Sequence, residues 1–125
     1  MQTKFYIEAT SVSPEIDFNI EELSFVIKGR SMPEDAETFY LPVMTWLIEN
    51  IRSKPIIANF DVALDYYNTG SFIRLMGLFN TLRDLNEAGS EFRVRWLCQS
   101  DDEDNIDDGQ SFKEVVKIPF EIIEL

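Results

Sequence analysis

The sequence predicts a single α/β domain over residues 1–125, built on a mixed β-sheet with helices packed mainly on one face. Three observations carry this expectation. Four segments alternate apolar and polar residues with period 2, as strands do when they bury one face. Two longer segments between them repeat apolar residues at helical spacing. In each clear strand one face is apolar and the other carries charge, whereas a sheet covered on both sides reads apolar throughout.

The elements follow in order. Phe5, Ile7 and Ala9 alternate with Lys4, Tyr6 and Glu8, and a weaker extended stretch follows at Ile16 to Phe18. Leu23, Phe25 and Ile27 alternate with Ser24, Val26 and Lys28, and Gly29 is expected to end that strand. Ser31-Met32-Pro33-Glu34 fits a capping box at the start of a helix. Pro33 is tolerated there because first-turn amides lack helical partners. Ala36, Phe39, Tyr40, Val43, Leu47 and Ile51 form the stripe of this helix. Pro42 predicts a kink or an early bend, and Lys54-Pro55 closes the segment.

The clearest strand sets Ile56, Ala58, Phe60, Val62 and Leu64 against Ile57, Asn59, Asp61, Ala63 and Asp65. A second helix is expected from about Gly70 to Ala88, with Phe72, Leu75, Met76, Phe79 and Leu82 as its stripe, widened by Ile73, Leu78 and Leu85. Gly89 is its expected C-terminal cap. Gly77, mid-helix, costs about 1 kcal/mol against Ala and suits close packing. Phe92, Val94, Trp96 and Cys98 then alternate with Arg93, Arg95, Leu97 and Gln99. The tail holds a short helix at Ser111 to Lys117 and an apolar end, Ile118 to Leu125, expected as an edge strand. Two strand-helix-strand units imply parallel pairs with right-handed crossovers, and the first strands are expected to pair antiparallel.

Composition narrows the function. Hydrophobic residues make up 45% of the chain, with ten Phe, four Tyr and two Trp, so a substantial core is available. The formal net charge of −12 repels phosphate backbones and anionic lipid, which argues against nucleic-acid and membrane partners. The absence of histidine removes the commonest general base and transition-metal ligand. Cys98 stands alone in an apolar alternating run and reads as an inert buried thiol, so no intrachain disulfide can form. Neither a membrane-length apolar run nor a charged segment leading an apolar stretch is found, so a cytoplasmic location is expected. No Gly-rich phosphate loop, G-x-S-x-G elbow or metal-ligand spacing is present. The expected class is therefore a regulatory protein that binds other proteins, without cofactor or metal, and not an enzyme.

Tyr66-Tyr67-Asn68-Thr69-Gly70-Ser71 follows the most central-looking strand and opens the second helix, where open parallel sheets gather their functional sites. Asn68, Thr69, Gly70 and Ser71 are the expected partner-binding residues. Thr69 has two readings. It can be a simple helix N-cap, or a phosphorylation site whose new charge meets unpaired amides and the positive end of the helix dipole. The run Asp101 to Asp108 holds six carboxylates, half of the net charge. It reads as a solvated loop that steers basic partners. A calcium loop fails on position, since Ile106 and Phe112 stand where an EF-hand needs Gly and Glu. Asp61 and Asp65 could serve a metal-dependent hydrolase, but they lie on the polar strand face, where pairing with Arg93 or Arg95 across strands fits better.

Several markers in order resemble the SiaC-like family of bacterial regulatory phosphoproteins. They are Tyr6-Ile7-Glu8-Ala9-Thr10, Pro14-Glu15-Ile16-Asp17-Phe18, Ile27-Lys28-Gly29-Arg30-Ser31 with Pro33-Glu34, and Tyr67-Asn68-Thr69 with Ser71. The acidic Asp101 to Asp104 and the closing Pro119-Phe120-Glu121-Ile122-Ile123-Glu124 complete the set. The resemblance implies a STAS-like domain related to anti-sigma-factor antagonists, switched by phosphorylation at the position of Thr69, with Ser71 the nearest alternative acceptor. It implies an anti-sigma-factor-kinase-like protein kinase and a PPM-type serine/threonine phosphatase as partners. In one branch the unphosphorylated protein binds and activates a diguanylate cyclase, raising cyclic di-GMP and favouring biofilm growth. Other output partners, including an anti-sigma factor in partner switching, fit the same resemblance.

Overall fold

The computed structural model describes residues 2–125, which fold into one six-stranded sheet and three helices. β1 (Lys4–Ile7), β2 (Glu15–Asn19) and β3 (Ser24–Ser31) pair antiparallel in succession. β4 (Ile57–Tyr67), β5 (Glu91–Cys98) and β6 (Phe120–Glu124) then add in parallel, so spatial order equals chain order. The crossovers are α1 (Ala36–Ile51), α2 (Thr69–Glu87) and α3 (Glu103–Val115). Crossovers of one hand stepping the same way along a sheet place all their helices on one face. Burial follows: Phe60, Val62, Leu64, Phe92, Val94 and Trp96 are buried, while Asn59, Asp65 and Arg93 on the other face are exposed. The mixed sheet with one covered face is as the alternation predicts.

Under α1 the core is aromatic. Phe18 lies 5.4 Å from Phe25, 5.3 Å from Phe60 and 5.9 Å from Trp46, all in tilted geometry. Such tilted pairs add to plain area burial because ring edges meet ring faces. Residues Trp46 and Asn50 extend the α1 stripe beyond its expected members. Trp46 Nε1 donates to Gln2 Oε1 at 3.0 Å, and the Gln2 amide donates to Asn50 Oδ1 at 2.8 Å, which ties the chain's start to this helix.

Local chemistry moves several boundaries. β1 ends at Ile7 and Ala9 is exposed, because the Thr10 hydroxyl accepts from the amides of Val12 and Ser13 and turns the chain. Leu23 lies in the β2–β3 turn at φ 54° and is exposed, so β3 starts one residue later than expected. Gly29 does not end β3. At φ +112° it forms an irregularity where pairing with β4 slips between Gly29 and Arg30, and the strand continues to Ser31. Ser31 therefore caps nothing. Asp35 is the α1 N-cap, accepting from the Thr38 amide at 3.1 Å and the Thr38 hydroxyl at 2.8 Å. Those bonds, the amide first, hold the Asp35 carboxyl below its ordinary range. The helix runs unbroken through Pro42.

The largest departure is the acidic run. It is not a loop: Asp102 caps α3 by accepting from the Asn105 amide at 3.2 Å, and residues 103–108 are its first turns. Glu103 and Asp104 in the first turn and Lys113 in the last complement the helix dipole. The helix is thus longer, and starts earlier, than the expected Ser111 to Lys117. Its inward face, Asn105, Gly109 and Phe112, contains a single large apolar side chain, so hydrophobic periodicity does not reveal it. β6 is the expected edge strand.

Candidate functional site

Each helix follows a strand of the parallel half, so α1, α2 and α3 all begin at the same edge of the sheet, beyond the C-terminal ends of β3, β4 and β5. Between β4 and α2 a single residue, Asn68, makes the turn. Its backbone is extended, its amide donates to Ser31 O at 3.0 Å, and its Oδ1 accepts from the Ser71 amide at 2.9 Å. Asn68, not Thr69, is therefore the N-cap. Thr69 becomes the first helical residue and stays exposed, with its hydroxyl outside the cap.

The other predicted residues separate in depth. Gly70 is exposed and close to α1, where a Cβ on it would sit 3.5 Å from Ala36 Cβ. Ser71 is fully buried. The Ser31 hydroxyl donates to Ser71 Oγ at 2.8 Å and lies 2.6 Å from the Tyr40 hydroxyl, a chain that pins the first turn of α2 to the end of β3 and to α1. Burial pushes the Tyr40 hydroxyl up to about 12, partly offset by the Ser31 bond. Of the four expected partner-binding residues, then, Thr69 and Gly70 reach the surface, Asn68 is half-buried as the cap, and Ser71 is inside.

Sequence reasoning missed a second layer. Tyr67, Asn68, Thr69, Phe72 and Asp108 line one hollow between the end of β4, the first turn of α2 and α3. The Tyr67 hydroxyl donates to Asp108 Oδ2 at 2.6 Å, with Asn105 Oδ1 a longer 3.3 Å away. Buried Asn105 accepts from Trp96 Nε1 at 2.9 Å and donates to Leu64 O at 3.2 Å. Burial, the bond to Asp108 and the charges of Asp108, Asp102 and Asp104 all hold the Tyr67 hydroxyl far above its ordinary value, so it stays a neutral donor. Asn105, an uncharged polar residue set among carboxylates, was the available sequence signal.

The remaining candidates lie elsewhere. Arg95 Nε and Nη2 donate to the two oxygens of Asp61 at 2.6 and 2.7 Å across paired strands, as expected of that pairing. They sit on the sheet face opposite the helices, and Arg93 and Asp65 on that face are exposed. Cys98 is buried, which pushes its thiol up. Among the described residues no group of three or more Cys, Asp or Glu side chains is arranged to hold a metal ion. No helix among them is long and apolar enough to cross a membrane.

Residues 7–125 match the model of the SiaC family regulatory phosphoprotein. The chain belongs to the SiaC family. An uncharacterized protein of Pseudomonas aeruginosa (strain UCBPP-PA14) is 23% identical over 117 residues, covering 94% of this chain and 93% of that protein. The crystal structure of apo-SiaC from Pseudomonas aeruginosa superposes with a TM-score of 0.84 at 23% identity, covering 98% of this chain and 99% of that one. A chain in the crystal structure of diguanylate cyclase SiaD in complex with its activator SiaC, from the same organism, gives 0.87 at 23% identity over 97% of this chain and 99% of that one. At such identities the superpositions establish a shared fold, the six-stranded mixed sheet with three helices. The family match makes this SiaC-family chain a regulatory phosphoprotein.

Proposed function

We propose that this chain is a phosphorylation-switched adaptor whose acceptor is Thr69. One observation carries the assignment: Thr69 is exposed at the first position of α2 while Asn68 does the capping and Ser71 is sealed inside. A phosphate there adds about −1.5 to −2 charge and three strong acceptors. It meets the unpaired amides and positive dipole end of α2, so the fold tolerates it. A protein packed on that helix end would have to desolvate an unpaired dianion, which is costly. Ser71 as acceptor would require opening the first turn of α2 and breaking its buried bond with Ser31.

The SiaC of Pseudomonas aeruginosa activates the diguanylate cyclase SiaD. By that likeness the unmodified form of this chain binds and regulates a diguanylate cyclase, and phosphorylation releases it. An anti-sigma-factor-kinase-like protein kinase adds the phosphate and a PPM-type phosphatase removes it. Residues 1–125 act as one domain in the cytoplasm, by binding and not by turnover. A hydrolase using Asp61 is disfavoured because Arg95 already engages both of its oxygens.

Peptide mass spectrometry of the protein from its native cells, with and without phosphatase treatment, tests the acceptor. A single phosphate on Thr69, and capture of a diguanylate cyclase by the unmodified form alone, is the expected result. A Thr69→Ala protein that still takes up phosphate from its kinase at full stoichiometry overturns the assignment.

A further inference from the structure

Tyr67 lines one hollow with Thr69 and with Asp108 of α3, and its hydroxyl has one proton to give. That proton now goes to Asp108 at 2.6 Å. Thr69 and Asp108 line the same hollow, with the Tyr67 ring between β4 and α3. A phosphate on Thr69 brings three acceptors into this hollow and faces the Asp108 carboxylate with like charge. Carboxylate and phosphate both accept charge-assisted bonds, but the phosphate offers three oxygens and the larger charge, and its repulsion of the Asp108 carboxylate disfavours the bond already made. On these grounds we propose that Tyr67 is the internal receiver of the phosphate on Thr69: its hydroxyl leaves Asp108 for the phosphate, and the acidic first half of α3 is loosened on β4, where Asn105 still holds the Leu64 carbonyl.

The way α3 is held makes this loosening local. Phe112 is fully buried and stacks on Phe72 with centroids 4.6 Å apart, and Gly109 fits directly against the Trp96 ring. These contacts anchor the second half of the helix. The first half, Glu103 to Asp108, has only the half-buried Ile106 against the core and is otherwise fixed by polar contacts that centre on Tyr67, Asn105 and the Asp102 cap. Its outer surface carries Glu103, Asp104 and Asp107, exposed and repelling one another. Removing the Tyr67 tether and adding a nearby dianion act in the same direction. The phosphate is thereby felt not only where it sits but along α3, which widens the surface whose shape depends on the switch.

This proposal rests on Thr69 as the acceptor, and its test is built to stand apart from that reading. Phosphothreonine is installed at position 69 during synthesis of the full chain, so no cellular kinase is needed. Amide hydrogen exchange is followed by mass spectrometry in four proteins: unmodified, phosphorylated, Tyr67→Phe, and phosphorylated Tyr67→Phe. Amides of residues 105–108, the first of α3 that are hydrogen-bonded, should exchange at least tenfold faster in the phosphoprotein, while those of α1 stay unchanged. Tyr67→Phe keeps the ring and should show much of that acceleration without phosphate, and phosphate should then add less than about twofold. Unchanged exchange of α3 in a protein whose mass confirms the phosphate overturns the proposal. So does an equally large acceleration by phosphate in the Tyr67→Phe background, since Tyr67 would then not be the receiver. Absence of phosphate on Thr69 in native cells would count against the switch in vivo, a result separate from either of these.

Discussion

Beneath α1, Phe18 packs against Phe25, Phe60 and Trp46, and the one hydrogen bond these side chains make is from the Trp46 indole to Gln2 at the edge. Beneath α3, Trp96 and Phe112 also pack ring against ring, 5.2 Å apart, but here Asn105 threads a polar hub through them to Tyr67 and the Leu64 carbonyl. The first flank is held by non-directional burial, which tolerates small shifts but loses much when volume is removed. The second depends on single donors and acceptors, each of which has few alternatives. Thr69, the proposed phosphoacceptor, sits beside the second flank. A charge placed there meets a hydrogen bond that it can redirect.

The contrast can be broken at its strongest point first. Phe60→Ala, at a fully buried site in the middle of the aromatic flank, should cost about 3–5 kcal/mol and unfold the domain as one unit. Denaturant titration followed by both far-ultraviolet dichroism and tryptophan emission should then show coincident transitions. Gly109→Ala should cost less, about 1–3 kcal/mol, because its Cβ would lie 2.7 Å from Trp96 Cδ1, against a rigid ring. Its distinguishing mark is a changed Trp96 emission in the folded state, read in a Trp46→Phe background. If Gly109→Ala left both stability and emission as they were, the tight seat of α3 on Trp96 would be wrong.

Smaller effects separate the two hydroxyls of the α2 start. Ser71→Ala removes the buried Ser31–Ser71 bond, with Tyr40 still beside Ser31, and should cost about 1 kcal/mol. Thr69→Ala should change stability by less than about 0.5 kcal/mol, as exposed sites usually do, while abolishing phosphate uptake. Thermal melts of the pair settle whether structure and signalling are divided between these neighbours as their burial indicates; equal losses would contradict it.

The polar flank should also show itself at high pH. Tyr67 and Tyr40 both have hydroxyls raised above the ordinary 10.0, for burial first in each case. A folded-state value raised above the unfolded one means stability is fully present below pH 10.0 and lost as pH rises beyond it, because the unfolded chain ionises first. The melting temperature should therefore hold steady through neutral pH and fall above about pH 10, the unfolded tyrosine value. Tyr67→Phe should make that fall shallower. A curve unchanged by the substitution would mean that Tyr67 is not held as described.

Much of this was legible from residue order. Alternation in Phe60, Val62 and Leu64 or in Phe92, Val94 and Trp96 defines strands and their buried face, because a period of 2 has one geometric meaning. The short passage from strand to helix at Asn68-Thr69 located the candidate site, since that junction follows from the same patterns. Capping did not separate in this way: Ser31 and Asp35, or Asn68 and Thr69, are chemically equivalent caps, and only the φ/ψ path of the strand end chooses between them. Gly29 could end a strand or bend one, and pairing with β4 decided for the bend. Helix α3 was hidden because Asn105 and Gly109 carry no hydrophobic signal; one is buried by its bonds to Trp96 and Leu64, the other by the flat ring it admits. The sequence by itself determined the sheet, two of its helices and the place of Thr69, since these depend on local periodicity. Which hydroxyl is exposed, what Tyr67 holds and where the acidic run lies were decided by tertiary structure, because each depends on a partner some 40 residues away.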